Sequence, residues 1–184
     1  MGTDNDPDDE AGITPVIDRS LVLVGMMGVG KTSIGRRLAA RINFEFADAD
    51  EEIERAAGMT IAEIFEKFGE AYFRDGERRV IARLMDGPPK VIATGGGAFI
   101  NEETRSLILE RALSIWLDAD IKVLADRVSR RDHRPLLKNR DPVEVLTELG
   151  KVRNPFYAAA NIHIRSDASP HARTVETILK AIAP

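Results

Sequence analysis

The sequence predicts an α/β domain built on a mostly parallel sheet with helices on both faces. Three observations carry that prediction. Leu21-Val22-Leu23-Val24 runs directly into the pattern G-x-x-x-x-G-K-T at residues 25–32, the order of a buried strand, a phosphate-cradling turn and a helix. Further apolar segments, making five strands in all, alternate with helical ones along the chain, which implies parallel strands joined by crossover helices. A length of 184 residues suits one domain with a substantial core.

The elements follow in order. After the strand at 21–24, a helix is expected over residues 31–41 and a second strand over 44–48. Asp50 marks the turn into a helix that stops at Gly58, a residue free to adopt a left-handed cap. Thr60-Ile61-Ala62-Glu63 is a capping box, so a short helix runs to Phe68, and a longer one spans 70–85 before Gly87-Pro88-Pro89. Val91-Ile92-Ala93-Thr94 reads as a strand that enters Gly95-Gly96-Gly97. Asn101 caps a helix with Glu102 and Glu103 in its first turn, where carboxylates favour the dipole. A strand at 113–117 and a helix at 121–128 come next. A short helix over 142–149, a segment 151–157, a strand at 161–164 and a helix at 170–182 complete the pattern.

Composition narrows the classes. There is no cysteine, which removes disulfides and thiolate zinc sites and suits a reducing, cytoplasmic setting. No stretch reaches the roughly 18 apolar residues of a membrane span. Asp4, Asp6, Asp8, Asp9, Glu10 and Asp18 give residues 1–18 six acids and no base; the remainder carries 24 acids against 26 Lys plus Arg. The net negative charge therefore belongs to an acidic leader, expected to be disordered, and residues 19–184 are expected to form a single domain.

The chemistry concentrates in five places. Gly28, Val29, Gly30, Lys31, Thr32 and Ser33 form a nucleotide-binding loop, with Lys31 reaching the transferring phosphates and the Thr32 hydroxyl placed for Mg²⁺. Asp48 and Asp50, one residue apart at a strand end, would point the same way in extended geometry. One can serve a metal and the other accept a proton from a hydroxyl, although either can instead cap the following helix. Arg74, preceded by two aromatics and one helical turn before Glu77, is either a surface pair or an inward guanidinium that grips a carboxylate. Gly95, Gly96 and Gly97 form a tight turn or admit a close backbone approach to substrate.

The segment around 127–140 holds Arg127, Arg130, Arg131, Arg134, Lys138 and Arg140. It reads as a lid over phosphates, about residues 129–141, with a basic nucleic-acid loop as the alternative. His133, His163 and His171 show no metal-ligand spacing and receive no catalytic role.

These residues resemble the shikimate kinase family over essentially all of residues 21–184. The resemblance rests on G-M-M-G-V-G-K-T-S, the D-A-D of 48–50, I-F-E-K-F-G-E-A-Y-F-R-D-G-E, G-G-G, R-P-L-L and R-N-P-F-Y, in order and at matching spacing. It implies the P-loop NTPase three-layer sandwich of the nucleoside monophosphate kinases, with sheet order 2-3-1-4-5, a substrate-binding helical region at about 50–78 and a lid. It further implies transfer of the ATP γ-phosphoryl group, with Mg²⁺, to the 3-hydroxyl of shikimate on the chorismate route.

By the same resemblance Asp50 binds the acceptor hydroxyls and acts as base, and Lys31 and Arg134 assist transfer. Arg74 and Arg153 hold the shikimate carboxylate, while Gly95, Gly96 and Gly97 face the substrate. Arg127 and Pro170 lie at the adenine, and Asp48 supports Mg²⁺ beside Thr32. A monomer without nucleic-acid or membrane partners is expected. A gluconate kinase and a non-enzymatic nucleotide switch are the alternatives; the chain lacks the N-K-x-D guanine signature of the latter.

Overall fold

A computed structural model describes residues 17–130, 137 and 139–184. The acidic leader up to residue 16 and Arg134 lie outside the described residues, as does most of the expected lid. Five parallel strands form one sheet in the order β2-β3-β1-β4-β5: β1 Leu21–Val24, β2 Glu45–Asp48, β3 Lys90–Ala93, β4 Leu113–Ala119 and β5 Ile162–Ser166. The helices are α1 Lys31–Ile42, α2 Ala49–Ala57, α3 Ile61–Leu84, α4 Glu102–Arg111, α5 Ile121–Ser129, α6 Pro142–Tyr157 and α7 His171–Ile182. The sheet order agrees with the expectation.

β1 lies at the centre, with Leu21 in register with Val91 of β3 on one side and Leu113 of β4 on the other. All four of its residues are fully buried, as an unbroken apolar run in a parallel sheet requires. α1 seats closely on the sheet because Gly35 has no side chain. A Cβ there would come 2.6 Å from the Phe46 ring and 3.1 Å from Leu23 Cδ1. Side chains tie strand ends together: Asn161 Oδ1 accepts from the Ser114 amide at 2.9 Å and from its hydroxyl at 2.8 Å. The Thr94 hydroxyl donates to the Leu23 carbonyl at 2.8 Å, which fixes where β3 delivers the following glycines.

Local predictions hold at several caps. Thr60 and Glu63 form the reciprocal capping box, and the Asn101 side chain accepts from the Thr104 amide. The two helices expected on either side of residue 69 follow one another directly within α3 and are separated by a kink at Gly69, whose φ of 83° and ψ of 176° are not helical. Two expectations need correction. Residues 142–157 form one helix, not a short helix and a separate segment. Gly150 is buried within it, and Pro155 stands inside its last turn. Asp50 does not share β2 with Asp48: Asp48 ends the strand and caps α2, so Asp50 stands in the first helical turn. The alternation argument therefore did not apply, because Asp48 satisfies the orphan amides of a helix that starts one residue later.

Candidate active site

The site lies at the carboxyl ends of the strands, where open α/β sheets place ligands. A cavity of about 430 Å³ is lined there by the phosphate loop, Asp48, Asp50, Gly95, Gly96, Arg127 and His171. Gly28 and Gly30 have φ of 81° and 97°, left-handed values that side chains rarely adopt, so the loop can curl its amides around an anion. Of the residues assigned to this loop, Gly28, Gly30, Lys31, Thr32 and Ser33 line the cavity. Val29 is fully buried and offers its backbone. The Lys31 ammonium donates to the Gly25 carbonyl at 2.7 Å and the Met26 carbonyl at 2.9 Å.

Asp48 divides its two oxygens. Oδ1 accepts from the amides of Asp50 at 3.0 Å and Glu51 at 3.3 Å, while Oδ2 accepts from the Thr32 hydroxyl at 2.9 Å. The cap and the candidate metal position are thus two faces of one carboxylate. Asp50 is lifted above the ordinary aspartate range, first by burial and next by the charge of Asp48, with Lys31 opposing. A half-buried carboxylate whose proton affinity is raised in this way is suited to accept a proton from a hydroxyl.

The three consecutive glycines each admit one functional side chain. A Cβ on Gly95 would lie 2.9 Å from Asp50 Oδ1, and one on Gly96 would lie 2.9 Å from Arg153 Nη1. One on Gly97 would overlap the Arg74 guanidinium. Arg74 is held from behind: its Nη1 donates to Glu77 Oε1 at 2.7 Å, and Glu77 is only 1% exposed. Burial raises the Glu77 carboxyl above its ordinary range, and Arg74 opposes the rise. The Tyr157 hydroxyl donates to the Gly96 carbonyl at 2.5 Å. So a carboxylate from α2 and guanidinium groups from α3 and α6 meet on one turn.

Arg127 spans two loops. It donates to the carbonyls of Gly28 at 3.4 Å, Val29 at 3.3 Å and Asp167 at 3.2 Å, which ties the phosphate loop to the turn before α7. Pro170 occupies the N-cap position of α7, directly before His171. Sequence reasoning passed over His171, which no spacing rule singles out and whose place at the cavity arises from tertiary packing. Tyr157 appeared there only as the end of R-N-P-F-Y. His163 lies in β5, stacked on Trp116 at 4.0 Å and beside Asp118, as a sheet residue.

A shikimate kinase family model matches residues 27–183. The chain belongs to the shikimate kinase family. It is 58% identical over 170 residues to the shikimate kinase of Caulobacter vibrioides strain NA1000, covering 92% of this chain and 85% of that protein. It is 59% identical over 170 residues to the shikimate kinase of Novosphingobium aromaticivorans, covering 90% and 88%. Among solved structures, the shikimate kinase from Acinetobacter baumannii in complex with shikimate superposes with a TM-score of 0.83 at 38% identity. That match covers 89% of this chain and 92% of the other. Membership of the family makes the chain an ATP-dependent kinase. Among the described residues no helix is long and apolar enough to cross a membrane.

Proposed function

We propose that the chain phosphorylates the 3-hydroxyl of shikimate with ATP, as a cytoplasmic monomer, giving shikimate 3-phosphate and ADP for chorismate synthesis. The observation that carries this reading is the convergence of Asp50, Arg153 and Arg74 on Gly95, Gly96 and Gly97 beside a phosphate loop. A single carboxylate acceptor with vicinal hydroxyls matches that set: Arg74 and Arg153 pair with the carboxylate, and Asp50 accepts from the hydroxyls.

The donor phosphates lie over residues 28–33, with Arg127 and Pro170 toward the adenine. Thr32 and Asp48 offer hard oxygens 2.9 Å apart on the cavity wall, a donor set that suits Mg²⁺ held also by phosphates and water. Bound there, Mg²⁺ supplies charge neutralisation of the β- and γ-phosphates. Lys31 stabilises the equatorial oxygens of the transferring group, and Arg134 is assigned to the same task from the lid. Asp50 orients the acceptor oxygen and takes its proton as the bond to phosphorus forms. The glycine turn supplies backbone amides without side chains that would hold the acceptor away.

A coupled ADP-release assay with shikimate, gluconate or no acceptor tests the proposal. The expected result is Mg²⁺-dependent release that requires shikimate. Release independent of shikimate, or a preference for gluconate, would overturn it.

A further inference from the structure

The Cε1 side of the His171 ring packs against the phosphate loop at Gly30. A Cβ on Gly30 would meet three of its atoms, Cε1 at 2.8 Å, Nε2 at 3.3 Å and Nδ1 at 3.4 Å. His171 also lines the cavity together with Lys31, Ser33 and Arg127. Its two nitrogens differ. Nδ1 is buried and has no hydrogen-bond partner among the described residues. Nε2 makes no hydrogen bond among the described residues either, but it keeps solvent access on a side chain that lines the cavity.

The difference sets the tautomer. A proton on Nδ1 would be a buried donor without an acceptor, which costs more than an unused acceptor lone pair. The proton of the neutral ring therefore belongs on Nε2. Burial and the charges of Arg127 on α5 and Arg37 on α1 all push the ring toward this neutral form. We infer that His171 is a nucleotide-contact residue that donates its Nε2–H to a phosphoryl oxygen of ATP or ADP bound over Gly30. This rests on the nucleotide-binding reading of the cavity and assigns that site a neutral donor next to its lysine and arginine.

Such a donor differs from a cationic one in its substitutes. The amide nitrogen of glutamine reproduces the position of Nε2, and that of asparagine the position of Nδ1. Isothermal titration of the full chain with ADP, for the parent, His171→Gln, His171→Asn and His171→Ala, reads the difference. The expected result is that His171→Gln binds within about threefold of the parent, while His171→Asn and His171→Ala lose about tenfold or more, the range for one hydrogen bond to a charged group.

Equal affinity in all four proteins would overturn the inference, as would rescue by asparagine instead of glutamine. Equal loss in all three variants would also overturn it, assigning the ring a packing role alone. Imidazole ¹⁵N shifts of the unliganded parent give a check that needs no variant: the Nε2–H tautomer is expected, and the Nδ1–H tautomer would refute the assignment. Failure of the parent itself to bind ADP would instead remove the nucleotide site, and this inference with it.

Discussion

Gly97 and Arg74 are fitted to each other: the guanidinium lies across the glycine, with Cζ and Nη1 each 2.8 Å from where a Cβ would stand. Gly97→Ala therefore moves the Arg74 head group. The obstacle is the far end of a flexible side chain, so the fold can absorb it, but the carboxylate grip proposed for Arg74 cannot. The expected outcome is an increase of about tenfold or more in KM for shikimate, the worth of one charge-assisted contact, with KM for ATP nearly unchanged. Steady-state kinetics with each substrate varied in turn gives the answer. An unchanged shikimate KM would detach Arg74 from acceptor binding.

Arg74 also compensates Glu77. The Glu77 carboxyl is 1% exposed and already raised by burial, with Arg74 holding it down. Arg74→Ala removes that opposition and raises the folded-state value further above the unfolded one. The folded variant then binds a proton more tightly than its unfolded chain, so its stability falls as pH rises from the unfolded glutamate value toward the folded one. Denaturant unfolding of parent and variant at several pH values should show a deficit that is small near pH 4 and grows toward neutrality. A deficit constant with pH would mean that Glu77 does not depend on Arg74 for its charge.

The same sign argument applies to Asp50, in which function and stability oppose each other. Its folded carboxyl is raised by burial and by Asp48, so ionising it at neutral pH costs the fold stability that the neutral form would keep. Asp50→Asn should raise Tm at pH 7, by about 2–4 °C for each ~1 kcal/mol relieved. The gain should vanish on acidification below the ordinary aspartate range. Turnover should fall by about 10²-fold or more, the usual worth of a positioned base, while ADP affinity is retained. In the parent, activity should decline on the acid side at a higher pH than an unperturbed aspartate would give. Thermal melts at pH 3.5 and 7 paired with pH–rate profiles test both parts.

The donor half of this site is legible in the chain because it is local. Strand, loop glycines, Lys31 and Thr32 are contiguous, and a contiguous backbone motif carries its own geometry. The sheet order and the acceptor residues became legible only through the matched set of motifs, since nothing in the spacing of Arg74 and Arg153 shows that they meet at residues 96 and 97. The shared orientation expected of Asp48 and Asp50 failed because strand alternation was carried two residues past the helix cap at Asp48, into α2. His171 was given no role from its spacing, and its position at the cavity was not legible. Its place at the cavity comes from α7 packing against the loop at Gly30, some 140 residues away in sequence, a long-range contact that periodicity cannot register.

Tyr157 supports the acceptor side from beneath. It is fully buried, its hydroxyl donates to the Gly96 carbonyl at 2.5 Å, and burial pushes its pKa up to about 12 against the opposing charge of Arg153. The hydroxyl therefore remains a donor at every pH at which the protein is handled. Tyr157→Phe keeps the ring, which packs against Trp116 at 5.9 Å, and removes the hydroxyl, leaving the Gly96 carbonyl without that donor and Arg153 without its hydrogen-bonding interaction with Tyr157. A loss of about 1–3 kcal/mol is expected, seen as a lower denaturation midpoint with an unchanged slope.

The catalytic consequence separates this role from general packing. Arg153 both faces Gly96 and interacts directly with the Tyr157 hydroxyl, so the substitution should loosen Arg153 and, on the carboxylate-binding role proposed for it, raise KM for shikimate, while Asp50 against Gly95 keeps kcat within a few fold. If kcat fell with KM unchanged, Tyr157 would be acting on the transferring group and not on the seat of the acceptor carboxylate.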